Sequence, residues 1–149
     1  MARWNELVDD EPELAKSAAA RLAGGVAYLA TTAHDGAPRV HPVTPIVGSG
    51  SLFVFMEPTS PKGHDLRRDG RFALHSAVDD AQGTGGEFLI RGRAHLVDDP
   101  AERARAAAAA LYAPADRYVL FELLPDELLA TDYPEGLPRT RRWPTSTRG

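Results

Sequence analysis

Hydrophobic and polar positions change their period several times along this chain. Over residues 11–23, EPELAKSAAARLA, the residues Leu14, Ala18 and Leu22 recur every four positions and form one modest apolar stripe of a helix. Asp10 stands at its start as a cap, and Gly24-Gly25 at its end as a stop. After that the spacing shortens to alternation and short apolar runs bounded by turn residues, the pattern of a β-meander. A strand over 26–32 turns at Asp35-Gly36, a strand over 38–47 turns at GSGS, and a strand over 51–56 follows. Pro42 and Pro45 fall inside the second strand. Proline cannot donate to a ladder, so that strand is expected at an edge, at a bulge, or where a ligand approaches.

Beyond it, SPKGHDLRRDG predicts a short helix, and a strand over 71–78 follows. A polar gap, DDAQGTGG, leads to a long strand over 86–97, a second capped helix over about 100–112, and a strand over 117–124 that can run on towards Thr131. The tail is rich in Pro and Arg yet contains Trp143. Tryptophan packs on something, so residues 132–149 are expected as an ordered arm. Six mostly antiparallel strands and three short helices predict one mainly β domain over residues 1–149, a small closed or split barrel with peripheral helices.

Composition narrows what such a domain does. The chain has 149 residues, 43% of them hydrophobic and 26% charged, enough for one real core. A net charge of -4 argues against a general nucleic-acid binder and gives no reason to expect a membrane partner. There is no cysteine, which excludes disulfides, thiolate chemistry and cysteine-ligated zinc. The acidic N-terminus is unlike a secretory signal, and no apolar run reaches membrane length, so the expected compartment is the cytoplasm. Of the 17 basic residues only Lys16 and Lys62 are lysines, which leaves 15 arginines.

The three helix starts differ in one respect. Asp10, Glu11 and Glu13 crowd the first, and Asp99-Pro100-Ala101-Glu102 places an acid on either side of the second capped start. The middle helix has Ser60 as N-cap and Pro61 at its first position, then Lys62 and Gly63, with no carboxylate. Free backbone N–H groups, the hydroxyls of Thr59 and Ser60, and an ammonium converge there, which describes an anion site and most naturally a phosphate site. The competing reading is a lysine that simply points into water. Arg67 and Arg68 suit a helix C-terminus without further explanation.

The series AYLATTAHDGAPRVHPVTPIV, GSLFVFM, SPKGHDLRRDGRFALHS and FLIRGRAHLVDDP resembles the pyridoxamine 5'-phosphate oxidase-like family of flavin-binding split barrels, over about residues 20–125. The resemblance implies a six-stranded split barrel, a homodimer, and an FMN whose ring lies between subunits while basic and hydroxyl groups of one subunit hold its phosphate. On this chain it points to Arg39 and Lys62 for the phosphate, with Thr59 and Ser60 as hydroxyl donors. His41, Pro42, Val43 and Thr44 would line the ring, and Trp143 with Arg141 would close over the site from the partner subunit. The implied activity is FMN-mediated hydride transfer with a small substrate. A related branch uses the deazaflavin F420 and another binds haem, so an F420-dependent reductase and a non-catalytic sensor or carrier stand beside it. The tail LPRTRRWPTSTRG lacks the Arg-Leu type motif of a true pyridoxamine phosphate oxidase, so pyridoxamine phosphate is not the expected substrate.

Other chemistries find less support. The histidines His34, His41, His64, His75 and His95 show no HExxH or HxH spacing, so no metal site is expected. There is no G-x-S-x-G, and Asp79-Asp80 and Asp98-Asp99 fall in loops or caps. Arg139, Arg141, Arg142 and Arg148 make the tail basic, but a solvated or dimer-packing segment explains them without nucleic acid. No side chain stands out as a general acid or base; Tyr133 or a histidine are the candidates to supply a proton.

Overall fold

The computed structural model describes residues 2–23 and 25–145. Its N-terminus holds two helices where one was expected. Helix α1 (Trp4–Asp10) buries Trp4 and Leu7, and helix α2 (Pro12–Leu22) buries Leu14, Ala15, Ala18 and Leu22. Asp10 is therefore the last residue of α1 and not the cap of α2. Glu11 occupies that cap position, without a side-chain hydrogen bond, and Pro12 opens the new helix. Gly24, half of the expected stop, lies outside the described residues.

Among the described residues eight strands follow, all paired antiparallel. They are β1 (Ala27–Thr32), β2 (Pro38–Val43), β3 (Ile46–Gly48), β4 (Ser51–Met56), β5 (Arg71–Ser76), β6 (Glu87–Val97), β7 (Val119–Asp132) and β8 (Arg139–Trp143). Two additions raise the count above six. The expected strand over 38–47 is interrupted at Thr44-Pro45, and the C-terminal arm contributes β8, which pairs with the end of β7. Helices α3 (Pro61–Arg68) and α4 (Pro100–Ala109) lie between strands. Residues 146–149 of the arm lie outside the described residues.

Neighbouring strands run in the order β2-β1-β5-β6-β7-β4-β3, with β8 attached to β7. The two ends of that path, β2 and β3, are consecutive in the chain and separated by two residues. The sheet must therefore curl until its edges meet, yet no ladder joins them. This is a split barrel. Proline explains the seam: Pro42 sits on an edge strand, where its missing N–H removes no ladder bond, and Pro45 sits between the edges.

Strand β4 shows why its sequence, SLFVFM, lacks alternation. All six residues are buried. Leu52, Val54 and Met56 join the barrel core with Leu29, Leu74, Phe88 and Phe121, under α1 and α2. Phe53 and Phe55 face the other way into a smaller cluster with Ile46, Leu120 and Ala106 of α4. A strand covered on both faces reads as a continuous apolar run.

Candidate cofactor-binding cleft

Register on the β1–β2 ladder sets which side chains reach the seam. Arg39 pairs with Thr31, His41 with Leu29 and Val43 with Ala27, so these three share the side of β2 that faces the buried residues of β1. Val40 and Pro42 project to the opposite face and are exposed. The chain then leaves β4 and enters α3, which packs against β1. Ser60 caps α3: its Oγ accepts from the Gly63 N–H at 3.2 Å. Space is tight at this third helical position, where a Cβ on Gly63 would lie 3.0 Å from Ser60 Oγ and 3.4 Å from Met56 Sδ.

A buried carboxylate that the sequence reading did not single out organises this end of the barrel. Asp65 of α3 is 2% exposed. Its Oδ2 accepts from Thr31 Oγ1 at 2.7 Å and from Arg39 Nε at 2.8 Å, and its Oδ1 accepts from Arg68 Nη2 at 2.9 Å. Burial alone would push this carboxyl up; the hydrogen bonds from Arg39, Thr31 and Arg68 outweigh it and hold the group at about 2. Arg68 also donates to the Thr32 carbonyl at 2.9 Å, which ties α3 to the end of β1. Arg39 is thus fixed by Asp65 through Nε, and a guanidinium has further N–H groups to offer a ligand.

Beside this network opens a cleft of about 320 Å³. Pro42, Val43 and Thr44 at the end of β2, Phe55, Met56 and Glu57 at the end of β4, and Lys62 of α3 line it. Tyr112 and Tyr118, both beyond α4, complete the lining. Glu57 does not neutralise Lys62, because it is held bidentately by Arg117. Lys62 forms no ion pair with any described residue. In the first turn of α3 the Gly63 N–H goes to Ser60 Oγ and the His64 N–H to the Ser60 carbonyl, so the Lys62 N–H is left without an acceptor. Thr59 is exposed beside this turn.

His41 lies within the field of the same cations. Burial pushes its imidazole down, Lys62 and then Arg39 push it further, and Asp65 opposes them. The ring is therefore neutral at pH 7, and its buried Nε2 has no hydrogen-bond partner. Such an atom fits a site built for a ligand.

Of the expected residues, Pro42, Val43, Thr44 and Lys62 line the cleft, Thr59 and Ser60 lead into α3 beside Lys62, and His41 and Arg39 lie further back along β2, with His41 in the field of both Lys62 and Arg39. Trp143 is placed elsewhere. It is 2% exposed within the core of its own chain, and its Nε1 donates to Asp10 at 3.0 Å. A side chain so held cannot also cover a partner's cleft, which corrects the expectation for Trp143. Arg141, expected beside it, lies 3.5 Å from Asp132 of its own chain. Asp65, Tyr112 and Tyr118 were missed. Asp65 showed no more than a carboxylate three residues before an arginine, and the two tyrosines showed no pattern at all.

The sequence matches the family profile described as pyridoxamine 5'-phosphate oxidase over residues 14–132. The chain belongs to this family. The matched segment begins in α2 and ends with β7, so it contains the whole barrel path and leaves α1 and β8 outside. No curated protein sequence matches the chain. Among solved structures, the conserved hypothetical protein Rv2991 from Mycobacterium tuberculosis superposes with a TM-score of 0.67 at 20% identity, covering 93% of this chain and 91% of its own. A haem-binding protein from Mycobacterium smegmatis gives 0.62 at 19% identity and covers 78% of this chain, which spans only 51% of that protein. PhzG from Burkholderia lata 383, solved with tetrahydrophenazine-1-carboxylic acid, gives 0.55 at 18% identity, covering 92% and 91%. At these identities the likeness is one of fold. No helix among the described residues is long and apolar enough to cross a membrane.

Proposed function

We propose that this chain is a flavin-binding oxidoreductase that holds FMN at the cleft and mediates hydride transfer with a small substrate. The observation that carries the reading is Lys62, an ammonium on the cleft wall with an unpaired backbone N–H behind it and no carboxylate partner among the described residues. A phosphate monoester supplies the negative partner that this arrangement lacks. The Ser60 hydroxyl uses its lone pair on Gly63 and keeps its hydrogen free to donate, and Thr59 adds a second hydroxyl nearby. Arg39 is fixed by Asp65 and shares that single carboxylate with Arg68, so the trio keeps one net positive charge that extends the field.

Bound there, the isoalloxazine would supply the hydride chemistry at N5, and the protein would supply placement and field. The backbone of Pro42, Val43 and Thr44, at the seam where the strand is interrupted, has polar groups to offer the ring edge. His41, neutral and with a free Nε2, can donate or accept there. A homodimer suits the outer face of β1 and β2, where Val40 is 64% and Tyr28 45% exposed, an unusual amount of apolar surface for adjacent strands.

One observation favours a second reading. A neutral imidazole with an unpaired Nε2 is also a competent axial ligand for haem iron, and a haem-binding protein shares the fold. A single experiment separates the readings: absorbance titration of the purified protein with FMN, F420 and haemin side by side. A perturbed flavin spectrum saturating at one FMN per chain supports the proposal. Saturation by F420 alone identifies the deazaflavin reductase, a Soret shift abolished in His41→Ala identifies the haem carrier, and no FMN affinity refutes the first reading.

A further inference from the structure

A second cavity adjoins the cleft and differs from it in polarity. Ala19 of α2 and Ala23 at its C-cap, Ile46 and Val47 of β3, and Leu111 and Tyr112 beyond α4 wall a groove of about 560 Å³. Thr44 and Tyr112 belong to both cavities, so the groove adjoins the cleft that Lys62 lines. None of the described residues lining the groove carries a charge. Its side-chain polar groups are the hydroxyls of Thr44 and Tyr112. Tyr112 remains a phenol at neutral pH, since burial pushes it up and Tyr118 adds to this, and its hydroxyl has no hydrogen-bond partner among the described residues. At the rim, Leu111 is 77% exposed, a large apolar side chain left in water beside a concave apolar surface.

We propose that this groove is the substrate pocket of the adjoining cofactor site, and that it takes an uncharged, apolar ring compound. The inference rests on the cofactor reading above. A groove of this volume accommodates a two- or three-ring molecule. A charged substrate entering it would lose water and meet no counter-charge, whereas a neutral ring gains contact and one hydrogen bond from Tyr112 or Thr44. The two sides of the Thr44–Tyr112 boundary therefore select opposite chemistries: the Lys62 side takes an anion, and the groove side rejects one. Pyridoxamine 5'-phosphate, bearing an amine and a phosphate, matches neither the groove's polarity nor its lack of partners. The small side chains of Ala19, Ala23 and Ala109 leave a shallow surface suited to a flat ring.

The test uses 2-methyl-1,4-naphthoquinone as an uncharged two-ring probe, titrated calorimetrically into the full chain, which has no cysteine to add to a quinone. FMN is titrated separately into the same preparations. Expected is saturable quinone binding to the wild type, weakened at least tenfold by Leu111→Asp, which sets a carboxylate at the rim, and by Ala23→Trp, which fills the groove. FMN affinity should be unchanged in both variants, since neither residue lines the cleft. Absent quinone binding, or equal binding by all three proteins, overturns the inference whatever FMN does. Loss of FMN binding alone, with the quinone results intact, removes the cofactor reading and leaves an apolar ring site. If Leu111→Asp splits an oligomer in sedimentation, a second copy of the chain covers the groove and the inference fails.

Discussion

Asp65→Asn removes a charge from the middle of the site's support while keeping its shape. Three donors converge on this carboxylate, from Thr31, Arg39 and Arg68, and it is buried. Its folded-state value of about 2 lies below the unfolded value of 3.8. That gap corresponds to roughly 2–3 kcal/mol of stability contributed by the ionised form. An asparagine can accept from one donor, but its NH₂ faces guanidinium donors, so the loss at pH 7 should be about 2–4 kcal/mol. For a chain of this length that is a fall in Tm of about 5–12 °C. The sign of the pH dependence follows from the depressed value. The stabilisation is complete above the unfolded carboxylate range, near pH 4, and disappears as pH falls through the folded value towards 2. Thermal melts followed by circular dichroism from pH 7 to pH 2.5 should therefore show wild type and variant far apart at neutrality and converging in acid. A gap that persists unchanged to pH 2.5, or no gap at pH 7, refutes the account of Asp65.

Lys62→Ala should weaken FMN binding about 10- to 100-fold, the loss of one charge-assisted contact, with Tm shifted by less than about 2 °C; flavin fluorescence quenching measures the first and calorimetry the second. Ser60→Ala strips the cap from α3 and should cost about 1 kcal/mol in urea unfolding, with a smaller loss of FMN affinity than Lys62→Ala. Trp143→Phe keeps the buried ring but loses the bond to Asp10. It should lose about 1 kcal/mol and leave FMN affinity unchanged, whereas a tail that closes over the cofactor would show the reverse. Gly92→Ala places a Cβ against the Leu124 carbonyl at the bulge between β6 and β7, and a loss of several kcal/mol or failure to fold is expected in expression and melting assays.

How much of this was legible in the sequence follows from which interactions are local. Alternation, the continuous apolar run of β4 and the turn residues placed β1, β4, β5 and β6 nearly to the residue, because these signals lie within each segment. Pro42 and Pro45 announced the seam, since a missing N–H constrains a strand wherever it sits. Helix α1 escaped notice because seven residues, with Trp4 and Leu7 as the buried pair, are too few to establish a period. Strand β8, RTRRW, has only Trp143 buried and is held by backbone pairing to β7, which leaves no apolar pattern. The extension of β7 beyond Leu124, already expected to reach towards Thr131, crosses Pro125 at a bulge and is carried by continued pairing with β6. In each case the deciding contact is tertiary.

Lys62 was visible as an oddity because its neighbours in the chain lack carboxylates, but the sequence could not say whether a distant acid completes the pair. Among the described residues two carboxylates stand near Lys62 in the fold, Asp65 three residues further along α3 and Glu57 in the cleft lining. Asp65 is taken by Arg39 and Arg68, and Glu57 by Arg117. The Arg39–Asp65 and Arg117–Glu57 pairings join elements remote in sequence, the Arg68–Asp65 pairing lies within α3, and together they occupy both acids. Of the cations that line or flank the cleft, Arg39 and Arg68 share Asp65 and Arg117 holds Glu57, whereas Lys62 has no carboxylate partner among the described residues. A lysine pointing into bulk water would not need such segregation; one on the wall of a cleft, beside a neutral histidine with an unpaired nitrogen, presents its charge to whatever enters. The missing partner of Lys62 is therefore best sought among anionic ligands rather than among the chain's own acids.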